Sequence, residues 1–328
     1  MKNRKKKLLL GAAFLMAGMA LMLTGYLLGG RSGICWDKNG VHTAEGITIT
    51  KKGIVRNKDA VYRDEKVALE EFDSFELNLA RANVEVLPAD DWYLEYRLDS
   101  RRRLTERKVS EGVFRMMEEE TAESMEDSSW TLQFLWGGPL GWSREEEDLY
   151  VKLYVPAEAV FSHTIVTVGY GDVKLGNLKA EELTVDIGGS LELESWKGRM
   201  ASLRANGMKV SGSLKGTQSL RAEVPFGDAF IKRLSVPQAE LDLEEGSLKL
   251  GLAQADTLFV NAAMRNVEVF LEEPERYDYC LHAKNGKVEA GQKVSAAAGM
   301  YLENHPENPL GHMEIQCETG DIFLGKYR

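Results

Sequence analysis

The sequence is short of the residues that staple, cleave or coordinate. Three cysteines (Cys35, Cys280, Cys317) in 328 residues are too few for a disulfide-held fold. The five histidines (His42, His163, His282, His305, His312) form no HExxH and have no CxxC beside them, so the spacing of a metal centre is missing. His305 and His312 share one loop and read as solvated. No GxSxG elbow offers a serine nucleophile. Gly169-Tyr170-Gly171 begins like a phosphate loop, but an alternating pattern follows where a helix N-terminus would be needed. No cofactor, metal or catalytic residue is expected, and the chain is not read as an enzyme.

Acidic residues are absent from the first thirty positions. Lys2, Arg4, Lys5, Lys6 and Lys7 precede a charge-free run from Leu8 to Gly30, long enough to span a bilayer as a helix. The basic flank predicts a cytoplasmic tail over 1–7, a transmembrane helix over 8–30 and an extracytoplasmic remainder. A cleaved signal peptide is the alternative, but the run is longer than such a segment needs and offers no A-x-A-like site. Gly25 and Gly29 form a GxxxG pair that would permit a weak homodimer.

Beyond residue 30 lie all 51 acids, against the 36 bases that remain of 41 once the five N-terminal ones are set aside. That balance disfavours nucleic acid and suits a solvated body outside the cell. Residues 31–70 are polar and glycine-containing, and read as a stalk or linker.

What is abundant is a short motif. An apolar residue, a middle one that is charged in seven of nine cases and a second apolar one recur at Val84, Val173, Leu191, Met208, Ala229, Leu248, Val267, Val288 and Ile322. From Val173 to Val288 the steps are 18, 17, 21, 19, 19 and 21 residues. Alternation of period two puts the apolar pair on one face and the middle residue on the other. A second alternating run follows in each unit, as in "LTVDI", "AELDLE" and "TLFVNA". One unit cannot bury its apolar face; stacked units can. Glycine or Asx at each corner, as in Gly171-Asp172 and Gly227-Asp228, supplies the turn. None of the eight prolines falls inside the recurring first strand, where it would delete a ladder hydrogen bond. Asp172, Asp228 and Asp321 lack the paired glycines and nine-residue period of a calcium repeat and read as turn residues.

The expected fold is therefore all-β: a parallel β-solenoid over 71–328 with two-strand coils of about 17–21 residues, plus the one N-terminal transmembrane helix. The period lapses in an excursion over 100–148 and in a loop over 291–311. Cys317 should point inward and Cys280 outward, leaving them unjoined. Cys35 could pair between chains or stay a free thiol.

"FDSFELNLARANVEVLP", "LYVKLYVPA", "GYGDVKLGNLKAEELTVDIGGSLEL" and "MEIQCETGDIFLG" resemble a bacterial family known as putative adhesins, over roughly residues 68–328. The resemblance implies a membrane-anchored β-solenoid at the cell surface, linked in some members to envelope-stress operons. It carries no catalytic residues.

Exposed aromatics point to a partner, a surface protein or a glycan. Phe230 and Phe323 hold outward positions otherwise given to charges, and the excursion carries Trp136, Leu140 and Trp142. Equally, the excursion could fold back over the first strands and bury its rings. The expected function is non-enzymatic adhesion, scaffolding or envelope-stress sensing. The alternative is a polysaccharide-active enzyme using the outer-face carboxylates Glu268 and Glu289, if adjacent coils bring them together.

Overall fold

The computed structural model describes residues 61–99, 103–119, 149–295, 299 and 301–327, together with four short strands between 34 and 56. Those four strands, Ile34–Asp37, Gly40–Thr43, Ile47–Thr50 and Gly53–Arg56, form an antiparallel meander in the stretch read as stalk. The larger unit, made of 61–119 and 145–328, is a stack of coils.

Period-two alternation fixes the stacking. Val173 pairs in parallel with Val84 on one side and Leu191 on the other, and the register continues through Met208, Ala229, Leu248 and Val267. All of these point inward and are buried. The second run of each coil forms another parallel ladder, for example Leu183 with Ala201, Leu220, Ala239 and Leu258. We call the first ladder side A and the second side B.

The coils have three sides, not the expected two. Between A and B, a short side C carries Leu178, Trp196, Leu214, Leu234 and Ala253 in register, all buried. The chain bends here without leaving the sheet, so Val173–Ile187 and Ser190–Arg204 are single long strands that turn two corners. Trp196 is the largest fully buried side chain of the core and lies against Gly198 of its own coil and Gly216 of the next. Its indole nitrogen donates to the Ala180 carbonyl at 2.9 Å. A Cβ on Gly198 would lie 1.7 Å from that same oxygen, so the ladder there admits only glycine.

Coil order departs from sequence order at both ends. The C-terminal strands His312–Thr319 and Ile322–Lys326 lie between the coil 257–271 and the coil 278–290. The end of the stack is thus 278–290, and the loop expected over 291–311 supplies two antiparallel edge strands, Lys293–Ser295 and Tyr301–Asn304, that cap it. At the other end, Ser74–Ala89 lies inside, between Phe161–Leu175 and an outer coil made of Val113–Glu119 and Tyr150–Pro156. Arg103–Ser110 and Tyr93–Asp99 close that end antiparallel, with Val61–Ala68 beyond. The described part of the excursion therefore lengthens the stack instead of covering side A.

The expected transmembrane helix is not found among the described residues. Residues 8–30 lie outside the described ones, and among the described residues no helix is long and apolar enough to cross a membrane. The described chain alternates in polarity, which gives two-faced strands, and among the described residues the single helical element is the 3-10 turn Pro274–Arg276.

Candidate interaction face

Because side A strands are short, each coil offers one central outward residue, and the ladder lines these up. The column runs Glu95, Lys152, Glu85, Lys174, Glu192, Lys209, Phe230, Lys249, Glu268, Phe323, Glu289. Its charges alternate and pair along the axis. Glu192 lies 3.5 Å from both Lys174 and Lys209, and Lys249 lies 3.0 Å from Glu268. Such exposed pairs contribute only a few tenths of a kcal/mol each, but they favour the observed register.

Two aromatics interrupt the charges. Phe230 is 36% exposed and Phe323 is half-buried. Phe323 packs on Phe270, a neighbour the sequence reading missed, with ring centroids 5.6 Å apart and a tilt of 58°. Both rings rest over Gly325, where a Cβ would stand 2.5 Å from Phe323 Cε1 and 3.1 Å from Phe270 Cδ1. The signal for Phe270 was present in "VEVFL", a large apolar residue directly after the inward Val269, on the outward parity. At the opposite end, Glu95 accepts hydrogen bonds from the hydroxyls of Tyr150 and Tyr154, at 2.9 and 3.0 Å. Burial, then the Glu95 bond, pushes the Tyr154 phenol above its usual range. Side A is thus a charged strip with aromatic clusters at both ends.

Glu268 and Glu289 are not neighbours. The C-terminal coil places Phe323 between them, two rungs or about 9.6 Å apart along the ladder, and Glu268 is held by Lys249. No paired-carboxylate geometry results. Trp136, Leu140 and Trp142 lie outside the described residues, as do Gly25, Gly29 and the rest of the charge-free run 8–30.

The corner aspartates cap turns. Asp172 Oδ1 accepts the Ser190 backbone N–H, Asp228 Oδ1 that of Ser247, and Asp321 Oδ1 that of Lys287, each at 2.8 Å. Their oxygens satisfy main-chain donors of the next coil, the task that the local chemistry assigned them. Cys317 is buried and in register with Ala283, while Cys280 faces outward opposite Glu303; both are free thiols. Burial raises both thiols above their usual range, with Glu303 and Glu314 adding to the effect at Cys280.

His305 and His312, read as solvated, meet on one carboxylate. Their Nδ1 atoms lie 2.7 and 2.9 Å from the two oxygens of Asp278, and His305 Nε2 lies 3.5 Å from Glu303. The hydrogen bonds from His312 and His305 hold Asp278 below the usual carboxylate range. His305 is raised in turn by the bonds it makes to Asp278 and then to Glu303. The trio ties down both ends of segment 305–312 beside the capping strands.

No protein-family model matches the sequence, and no curated protein matches it. Solved structures similar to it include a putative lipid binding protein from Parabacteroides distasonis, at 11% identity and TM-score 0.37, covering 83% of this chain and 98% of that one. A putative adhesin from Bacteroides fragilis is 8% identical with TM-score 0.33, over 82% and 98%. A putative cell adhesion protein from Clostridium sporogenes is 10% identical with TM-score 0.20, over 81% and 100%. Likeness at this level assigns no activity to this chain.

Proposed function

We propose that this chain is a non-enzymatic surface protein whose β-solenoid works as an adhesion or scaffolding module, meeting a surface protein or a glycan through side A. The observation that carries this reading is the side A column: one outward residue per coil, in register over the length of the stack. Charges are already paired with one another there, and Phe230 and Phe323 stand where further charges would otherwise be. Aromatic side chains with one face open and a rigid floor beneath are the usual anchors of recognition surfaces. Hydrolysis is disfavoured because Phe323 separates the two carboxylates that such chemistry would need as a pair.

The test is adhesion of beads coated with the purified chain to cells and to immobilised glycans, comparing wild type with the Phe230→Ser/Phe323→Ser double variant. Loss of two anchors is expected to weaken adhesion at least tenfold while thermal unfolding moves little, since both rings lie on the outside of the coils. Undiminished adhesion of a folded double variant would remove side A from the account.

A further inference from the structure

Side C differs from side A in how its charges are stacked. Lys179, Lys197 and Lys215 occupy the same outward position in three successive coils, so three ammonium groups stand on adjacent rungs about 4.8 Å apart. Like charges opposite one another in a ladder are unfavourable. On side A each lysine of the corresponding coils has a glutamate on a neighbouring rung. Of these three side C lysines, Lys179 is paired with Glu158. Among the described residues Lys197 and Lys215 have no ion pair and are exposed. This row stands out further because the chain as a whole carries a net charge of −10.

The surroundings narrow the ligand. Beside the lysines runs a polar row of Asn177, Ser195 and Ser213, with Arg233 on the next rung; the Asn177 amide nitrogen donates to Glu194 at 2.9 Å, which leaves its oxygen to accept from a ligand. Ser195 Oγ accepts the Ser213 backbone N–H at 3.1 Å, which leaves its own proton free to donate outward. On the other flank the strip is bounded by Glu181 and by Arg199, which is engaged with Glu182 and Gln218. The cationic surface is therefore one row wide and several rungs long, too narrow for a plane of lipid headgroups. Lys179 and Asn177 also line a groove of about 510 Å³ at the A–C corner, but Glu158, Glu192 and Glu194 stand there beside Lys174 and Lys209, so the ligand's seat is the lysine row and not the groove.

We propose that side C binds a linear acidic polysaccharide. Its carboxylates would lie along Lys179, Lys197 and Lys215 and its hydroxyls against Asn177, Ser195 and Ser213. A row of cations attracts anions of any kind, but the adjoining hydroxyl and amide row matches sugar hydroxyls. The acidic body works against a ligand recognised by charge alone. This site is separate from side A and does not depend on it.

The full chain is titrated with polygalacturonate, with neutral dextran, with polyphosphate and with phosphatidylglycerol vesicles. Wild type is compared with Lys197→Ser/Lys215→Ser and with a charge-matched control, Lys284→Ser/Lys326→Ser. Polygalacturonate is expected to bind more tightly than dextran or polyphosphate and to weaken with added salt. The side C variant should lose at least tenfold in affinity and the control less than twofold. The side C variant should also unfold at the same temperature as wild type or higher, because a like-charge stack has been relieved, which separates lost binding from lost fold. Equal losses in the two variants would reduce the effect to a general field. Binding to vesicles or polyphosphate alone, or no preference over dextran, would equally overturn the assignment.

Discussion

Trp196 is where side C can be tested most severely. It is 1% exposed and donates to the Ala180 carbonyl at 2.9 Å. Replacing it with leucine removes much of a large buried side chain and orphans that acceptor. Together these cost about 3 kcal/mol, from the usual range for truncating buried aromatics and for an unmade buried hydrogen bond. The sharper prediction concerns its glycine neighbours. A Cβ on Gly216 would stand 3.1 Å from Trp196 Cη2 and Cζ3, and 2.9 Å from Val236 Cγ1. Gly216→Ala in the wild type should therefore cost about 1–3 kcal/mol by overpacking. With leucine at 196 the indole is gone, and the cost should fall by about 1 kcal/mol or more. Gly198 behaves differently. Its Cβ would meet the Ala180 carbonyl oxygen at 1.7 Å, a backbone clash that no change at 196 relieves. Gly198→Ala should stay severely destabilising in both backgrounds. Urea unfolding of the four proteins in each double-mutant cycle supplies the coupling energies. If Gly216→Ala costs the same with either residue at 196, the packing of side C described here is wrong.

Thr164 is buried at 1% exposure between the rungs of Phe75 and Leu183, and its hydroxyl has no hydrogen-bond partner. Thr164→Val should stabilise by about 1 kcal/mol and raise the melting temperature by about 2–4 °C; a lower melting temperature would mean the hydroxyl has a partner after all. The Asp278 clasp should be pH-dependent. His305 is raised, so its contribution is complete below the ordinary histidine range and is lost as pH rises through its folded value. Asp278 is lowered, so its contribution is present above the ordinary carboxylate range and is lost as pH falls through its folded value. Amide exchange at Leu310 and His312, corrected for intrinsic rates, should be slowest in mildly acidic solution and quicken toward alkaline pH; His305→Gln should flatten that rise. Exchange that ignores pH would contradict the clasp.

The sequence reveals the inside and outside of each strand well, because alternation reports facing directly. Val173 and Leu175 point in, Lys174 points out, and the corner aspartates cap the turns as their chemistry suggests. Side C was harder to read, since only one or two inward residues per coil mark it. Leu178 and Ala180, or Leu234 and Val236, pass for the tail of side A. Stacking order was legible from Val173 to Val267 and not at the two ends of the stack. The segments 278–290 and 312–326 carry the same pattern, and periodicity says nothing about which of them sits on Val267. That one exchange decided the fate of the carboxylate pair, because Glu289 had been read as adjacent to Glu268. The histidine pair escaped notice for a related reason: Asp278 is 27 and 34 residues from its two partners, and only the coil brings them together.

Cross-linking across side A probes the stacking order most directly. Adjacent rungs lie about 4.8 Å apart, within the span a disulfide bridges, whereas two rungs at about 9.6 Å are beyond it. Under mild oxidation Glu268→Cys with Phe323→Cys should join, and peptide mapping should recover the bridged pair. Glu268→Cys with Glu289→Cys should stay reduced; a bridge there, with none in the first protein, would show that the C-terminal strands do not lie between coils 257–271 and 278–290.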